Sequence, residues 1–142
     1  MPIRKELRYF YPIDWPQLSA WVRFVRAKGC CEVCGRAHGK IVHHLGDGRW
    51  FDEAHETWRN GRGREVNWPA YGEYRNLKQT RVVLATAHLD HDPGNSRPGN
   101  LRALCQRCHM IHDRPEHRRR RRITWRARSA LGDLFLGPYR CW

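Results

Sequence analysis

Two pairs of cysteines carry the clearest chemical signal in this sequence. Cys31 and Cys34 form one C-x-x-C pair, and Cys105 and Cys108 form another much later in the chain. A structural zinc is held by four such ligands in a tetrahedron, with zinc–sulfur distances of about 2.3 Å. A disulfide framework is disfavoured because nothing resembles an export signal and a reducing cytosol keeps thiols reduced. The spacing therefore predicts a zinc ion that ties an N-terminal knuckle to a C-terminal helix.

The first pair leaves its ligands open. Cys30 precedes Cys31 and offers a shifted frame, and His38 is an alternative to one thiolate. Buried free cysteines or a redox pair are the competing interpretations of this spacing. Cys141 lies apart from both pairs, and we expect it to have no metal role.

A second set of reactive side chains lies in the segment AHLDHDPGNSRPGNLRALCQRCHMIHD, which runs from Ala87 to Asp113. An apolar strand is predicted to end at His88, a turn-rich loop follows, and Asn100 precedes the second cysteine pair. This order resembles the HNH nucleases, in particular the subgroup with a four-cysteine zinc beside the active site. The strand-end histidine, NLRALC and CQRCH carry the resemblance.

The resemblance implies a ββα-metal (His-Me finger) core, in which two strands and a helix surround one divalent ion, and the hydrolysis of phosphodiester bonds. Such hydrolysis needs an activated water, a cation on the phosphate and stabilisation of the leaving oxygen. A histidine suits the general base because its pKa lies near neutrality. Carried onto this sequence, Asn100 takes the family's asparagine role, and His109 is a helix ligand of magnesium or manganese. Asp113 or His112, one helical turn further on, is a candidate second ligand.

The family's catalytic histidine can be aligned with this sequence in two ways. His88 is followed by leucine, as the family's base usually is, but Ala87 stands where the family has a metal-binding Asp or His. The other frame restores that pair, with Asp90 as the ligand and His91 as the base. We favour His88 as the base, with Asp90 or His91 completing the metal site. The competing interpretation makes one of the two histidines structural.

The segment IVHHL is a rival position for the catalytic strand. His43 and His44 lie close behind the first cysteine pair, and they too would end a strand. In that case residues 46–90 would be an insertion inside the motif. The strand at His88 needs no insertion, so we favour it and expect His43 and His44 to form a surface pair near the zinc knuckle.

Positive charge dominates the chain, which has 27 Lys and Arg against 14 Asp and Glu and a formal net charge of +13. An excess of this size attracts polyanions, nucleic acid above all. Arginines that follow Pro115 would contact the phosphates of duplex DNA without reading its sequence. Those expected to do so are Arg118, Arg119, Arg120, Arg121, Arg122 and Arg126. Trp50 and Trp58 could stack on bases, but we expect them to pack in the core.

The first predicted element of secondary structure is a helix over 14–29. Asp14-Trp15-Pro16 is typical of a helix start, with Asp14 as the cap, and Gly29 of a helix end. The residues expected on its buried face are Leu18, Trp21, Val22 and Val25. No clean period is visible over 46–80, which predicts a surface excursion with a helical turn around Glu53 to Trp58.

Further strands and helices are predicted on both sides of that excursion. Strands are expected at Ile41 to His44 and through TRVVLATAHL, and a helix is expected to begin near Cys105. Pro115 is expected to open a final basic helix. The apolar residues that would pack it against the body are Ile123, Leu131 and Leu134.

These features predict one α+β domain over 1–142. It would have a zinc-stapled ββα-metal core at 30–113, an N-terminal helix, and an arginine-rich helix or tail at 114–142. The predicted function is a metal-dependent DNA endonuclease or nickase, with structural zinc and catalytic magnesium or manganese. The alternatives are a non-catalytic zinc-dependent DNA-binding protein, favoured by Ala87, and an RNA-binding or RNA-cleaving protein, favoured if the tryptophans are exposed. No apolar run reaches membrane-spanning length, so we expect a cytoplasmic monomer or homodimer with no membrane partner.

Overall fold

A computed structural model describes residues 5–136 of the chain and the side chains of residues 7–129. The chain divides into two compact units, Met1–Met110 and Ile111–Trp142. The first unit mixes helices with two antiparallel sheets, and the second is helical. The α+β class predicted from the sequence is confirmed.

The N-terminal helical region lies where the sequence predicts it, but its buried face differs. A 3₁₀ helix, Lys5–Phe10, precedes α1, Trp15–Ala20, which continues as a π-helix over Trp21–Arg26. The prediction of Trp21 and Val25 on the buried face is wrong, because the wider π turn shifts side chains away from the 3.6-residue period. Asp14 occupies the predicted N-cap position, although its side chain makes no capping hydrogen bond within the described residues.

The predicted surface excursion at 46–80 is wrong, because this region forms most of a five-stranded sheet. Its strands are too short for alternation to be visible in the sequence. Their order in the sheet is β4-β3-β2-β1-β5, and each pairs antiparallel with its neighbour. The strands are β1 Ile41–His44, β2 Trp50–Asp52, β3 Thr57–Arg59, β4 Glu65–Val66 and β5 Lys78–Arg81, with a 3₁₀ helix at Tyr71–Asn76.

The segment TRVVLATAHL, predicted as one strand, is divided between two sheets. Its first part lies in β5, and after Val82 and Val83 it continues as β6, Leu84–His88. β6 pairs antiparallel with β7, Leu101–Cys105, after a loop that ends in a 3₁₀ turn at Pro98–Asn100. The long helix α2, Gln106–Leu136, follows β7 directly, so its predicted start is confirmed.

The core of the first unit consists of two groups of buried side chains. The larger group joins both sheets through Trp50, Val82, Leu84 and Leu104, and it includes the four predicted zinc ligands. The smaller group packs Val22 against Leu101 and Ala103 of β7. Trp58 is buried in the five-stranded sheet, so the expectation that Trp50 and Trp58 pack in the core is confirmed.

The second unit is the continuation of α2. The prediction that Pro115 opens a separate helix is wrong: α2 runs through it, although proline has no N–H to donate there. Glu116 forms ion pairs with Arg119 and Arg120, and Ile123 is exposed rather than packed as predicted. Leu131 and Leu134 lie beyond the described side chains, and Cys141 beyond the described residues. Among residues 5–136, no helix has both the length and the apolar composition needed to cross a lipid bilayer.

Candidate metal centre and hairpin loop

The four cysteines of the two C-x-x-C pairs meet in one buried cluster. The sulfurs of Cys31, Cys34, Cys105 and Cys108 all lie within 4.8 Å of one another, and those of Cys34 and Cys105 are 3.6 Å apart. Zinc–sulfur bonds of about 2.3 Å in a tetrahedron require sulfurs separated by about 3.8 Å. The predicted ligand set is therefore confirmed as a group that could hold a structural metal such as zinc.

Backbone geometry explains how each pair presents its sulfurs. The Gly35 N–H donates to the Cys31 carbonyl at 2.9 Å, and the Cys31 N–H donates to the Arg36 carbonyl at 3.0 Å, which closes a tight knuckle. Cys105 ends β7 and Cys108 lies in the first turn of α2. The Cys105 N–H also donates to the Cys31 sulfur at 3.3 Å, a bond that favours a thiolate at that position.

The alternative ligands do not join the cluster. Among the described residues, the group of sulfurs does not extend to Cys30, which bridges to Ala37 instead. His38 is used elsewhere, since its Nδ1 accepts the Leu84 N–H at 3.0 Å. The unshifted frame that begins at Cys31 is therefore the one that the fold assembles.

Hydrogen bonds among the four cysteines lower the pKa values of two thiols and raise those of the other two. Bonds from Cys108 lower the pKa of Cys105 to about 6, and bonds from Cys105 lower the pKa of Cys31 far below its usual range. The pKa values of Cys34 and Cys108 rise, because those thiols must keep their protons to donate. A cation at the centre would relieve this conflict, since it stabilises all four thiolates together.

A second group of predicted site residues lies at one end of the β6–β7 hairpin. His88 pairs with Leu101, and the Leu89 N–H donates to the Asn100 carbonyl at 2.8 Å. The Asn100 amide donates to Asp90 Oδ1 and to the Asn95 carbonyl, both at 2.8 Å. Asn100 Oδ1 accepts the Asp90 N–H at 3.2 Å. Asn100 thus links the two sides of the loop and fixes its shape.

Asp90 is the other anchor of this loop. Besides Asn100, its carboxylate accepts the Asp92 N–H at 2.9 Å and the Asn95 side-chain amide at 2.6 Å. The amide of Asn100, followed by these other donors, lowers the pKa of Asp90 to about 2. Asp90 is therefore a carboxylate at neutral pH, and it orders the loop.

His88 is held between aromatic rings that the sequence did not reveal as partners. Its imidazole stacks on Trp15 with centroids 4.9 Å apart and planes at 16°, and Tyr11 contacts it edge-on at 5.6 Å. Nε2 lies 3.4 Å from Ser96 Oγ. Only 9% of His88 is exposed, and burial lowers its pKa below 6.5 against the opposing charges of Asp90 and Asp92. The ring is therefore neutral and fixed in orientation.

His91 lies in the same loop with an uncommon backbone. Its φ is +61°, in the left-handed region that costs a non-glycine residue about 1–2 kcal/mol. Its N–H donates to the His88 carbonyl at 3.2 Å, which links the two histidines. The hairpin end thus gathers His88, Asp90, His91 and Asn100. His109 lies in the first turn of α2, and Asp113 lies further along α2, in the second unit.

His43 and His44, the alternative histidine pair, lie in β1 of the five-stranded sheet. His44 Nδ1 accepts the Gly46 N–H at 3.2 Å, so Nε2 carries the proton and donates to Thr80 Oγ1 at 2.8 Å. Both ring nitrogens of His44 are therefore engaged. His43 Nδ1 is buried without a hydrogen-bond partner in the described part of the chain. Both histidines are half-buried.

Comparisons of the chain with protein-family models, with curated proteins and with solved structures find no match in any of the three. The interpretation of the site therefore depends on its residues and their geometry.

Proposed function

We propose that this protein is a metal-dependent endonuclease that hydrolyses phosphodiester bonds in DNA, with His88 as the general base. The observation that carries the proposal is the meeting of His88 and Asn100 at one end of the β6–β7 hairpin. α2 begins immediately after this hairpin, with His109 in its first turn. Strand, loop, strand and helix follow one another in the order that the HNH resemblance requires.

His88 has the properties that a general base needs. The stack on Trp15 fixes the orientation of the imidazole, and burial lowers its pKa, so the ring is neutral and can accept a proton from water. Asn100 positions the loop that carries the base, through its bonds to Asp90. We assign Asp90 to that loop rather than to a metal, because its oxygens already accept three hydrogen bonds.

A divalent ion, magnesium or manganese, would supply positive charge at the scissile phosphate. His91 and His109 are its proposed ligands within the first unit, and Asp113 on α2 stays a candidate from the sequence. The strained backbone of His91 supports its role, since left-handed non-glycine residues are concentrated at functional sites.

The four-cysteine cluster has a structural role in this proposal. Zinc with four protein thiolates has no open position for water or substrate, so it would not take part in the reaction. It would instead join the Cys31–Cys34 knuckle to the end of β7 and the start of α2, next to His109. DNA is the proposed substrate because of the net charge of +13 and the exposed arginines of α2.

A non-catalytic DNA-binding protein is the second candidate. The observation that favours it is Ala87, which is buried in β6 and offers no metal ligand where the family has one. An RNA-directed function loses its main argument, because Trp50 and Trp58 are buried and their faces are not available to bases.

Nicking of supercoiled plasmid in magnesium or manganese tests the proposal. We expect His88→Ala to lose activity by a factor of about 10²–10⁴, the usual contribution of a general base. His91→Ala should require more metal, if it binds the ion. His55→Ala is the matched control, because His55 is exposed and pairs only with Asp52 among the interactions described.

Each variant must first retain its zinc, measured by mass spectrometry, so that a loss of activity is not a loss of fold. Loss of nicking in His44→Ala with His88→Ala unaffected would move the catalytic strand to β1. A wild-type protein that shifts DNA on a gel but never cuts it under either metal would replace the nuclease with the binding protein.

A further inference from the structure

Arg36 is a buried cation with almost no partners. Only 5% of the residue is exposed, and one hydrogen bond is described for its side chain, from Nη2 to the Gly48 carbonyl at 3.3 Å. Its Nε is buried and has no partner in the described part of the chain. The guanidinium lies 5.4 Å from the Trp50 ring centroid. A buried charge is costly unless it is paired, so this arrangement favours the binding of an anion.

A second guanidinium, that of Arg107, approaches the same glycine. Arg107 lies in the first turn of α2, between Cys105 and Cys108, and its side chain rests on the backbone of Gly48 and Gly61. A Cβ at Gly61 would lie 2.7 Å from Arg107 Nη1, so the close approach depends on glycine. Among the described residues, no carboxylate forms an ion pair with Arg36 or Arg107.

The surroundings of these two arginines are rich in donors. Lys78 pairs with His44 across the β1–β5 ladder, and Trp50 pairs with His44 on the other side. The Trp50 Nε1–H is buried and has no described acceptor. After burial, the charges of Arg36, Lys78 and Arg107 lower the pKa of His44.

Acidic side chains near this cluster are already paired. Arg49 binds Asp47 with its Nε at 2.6 Å, and it also contacts Glu73. The loop at Gly48 therefore has its carboxylates committed to Arg49, while Arg36 and Arg107 keep unused N–H donors. An excess of donors and positive charge is the chemistry of an oxyanion site.

We infer that Arg107, backed by Arg36 and flanked by Lys78, binds a phosphate group of the nucleic-acid backbone on the five-stranded sheet. A guanidinium fork matches two phosphate oxygens, and its approach over glycine backbone leaves the outer N–H groups free for them. The inference rests on the proposed function for the source of the phosphate. It gives the 46–80 region a role as a second DNA contact, separate from the β6–β7 hairpin.

Binding of a 20-base-pair duplex to the full chain, measured by fluorescence anisotropy over a series of salt concentrations, tests the inference. We expect Arg107→Gln to weaken binding about tenfold and to reduce the slope of log affinity against log salt by about 1. Arg102→Gln is the control, because Arg102 is an exposed arginine on β7. It should have the smaller effect.

A substitution at Gly61 would move the positive charge of Arg107 without removing it, and one at Gly72 is its control. Gly61→Ala would displace the Arg107 guanidinium, whereas a Cβ at Gly72 meets nothing within 4 Å, and neither glycine has a left-handed φ. We expect Gly61→Ala to weaken binding and Gly72→Ala to leave it unchanged, with zinc retained in both. Equal losses in Arg102→Gln and Arg107→Gln, or wild-type binding in Gly61→Ala and Arg107→Gln, would overturn the inference.

The source of the phosphate and the nuclease proposal are tested separately. Duplex with 5′-hydroxyl ends should bind as well as 5′-phosphorylated duplex, and inorganic phosphate should compete poorly. A requirement for the 5′-phosphate, or binding of inorganic phosphate alone, would overturn an internal backbone phosphate as the ligand. If Arg107→Gln weakens DNA binding although the wild-type protein never nicks plasmid, the phosphate site stands and the nuclease proposal fails. If the wild-type protein nicks plasmid and Arg107→Gln binds DNA normally, the nuclease proposal stands and the phosphate site fails.

Discussion

Replacement of one cluster cysteine should destabilise the first unit severely. Cys34 and Cys105 are separated by 71 positions, so a metal between them closes a long loop. The chain-entropy relation assigns about 4 kcal/mol to a cross-link over a loop of that length. Each kcal/mol changes the Tm of a domain of this size by about 4 °C or more. We therefore expect Cys105→Ser to lower the Tm by at least about 15 °C.

The actual loss should be larger, because the binding free energy of a structural zinc is about 10–16 kcal/mol in small domains. That figure matches or exceeds the total stability of a typical domain, about 5–15 kcal/mol. Cys105→Ser, or a strong zinc chelator, should therefore leave the unit largely unfolded at 37 °C.

Thermal unfolding by circular dichroism, with zinc content measured on the same samples, is the appropriate assay. Cys30→Ser is the matched control, since Cys30 lies next to the cluster but bridges to Ala37. We expect Cys30→Ser to retain one zinc per chain and nearly the wild-type Tm. A wild-type protein without zinc, or equal melting of Cys30→Ser and Cys105→Ser, would refute the reasoning.

Three further predictions concern the sheets and the loop. Trp58→Ala should cost about 3–5 kcal/mol in urea unfolding, because the side chain is buried in the core, whereas Trp68→Ala, at an exposed position where the ring contacts Phe51, should cost about 0.5–1.5 kcal/mol. Burial and three nearby cations lower the pKa of His44 in the folded protein below 6.5. The contribution of His44 to stability is therefore complete above pH 6.5 and is lost as the pH falls through its folded-state pKa. His44→Gln should consequently lose less stability than the wild type between about pH 7.5 and pH 5. Asn100→Ala should speed amide exchange in the loop around Asp90 and cost about 1–3 kcal/mol, and unchanged exchange would argue against the hydrogen bonds described there.

The cysteine cluster could be predicted because the C-x-x-C spacing of neighbouring residues is enough to indicate metal ligands. A C-x-x-C turn presents two sulfurs whatever the remaining fold, so the two cysteine pairs could be predicted before any strand was known, whereas only the fold excluded Cys30 and His38 as ligands. The start of α2 and the strand at Ile41–His44 followed from equally local signals. Each of these features depends on a few neighbouring residues.

Features that depend on distant contacts could not be predicted. The strands over 46–80 are two to four residues long, and their pairing is stabilised by packing of Trp50 and Trp58 rather than by alternation. The stack of Trp15 on His88 joins the N-terminal helix to the end of β6. The approach of Arg36 and Arg107 to Gly48 likewise requires the folded sheet.

We propose that His88 removes a proton from the attacking water. Chemical rescue of His88→Gly by imidazole tests it most directly, because the ring can enter the space beside Trp15 and Tyr11 that the side chain leaves. We expect His88→Gly to lose plasmid nicking by a factor of about 10² or more. Its activity should recover in proportion to the concentration of neutral imidazole, and imidazole should not increase the activity of the wild type, in which the space is filled. Full nicking by His88→Gly, or a zinc-retaining inactive variant that imidazole never restores, would contradict it.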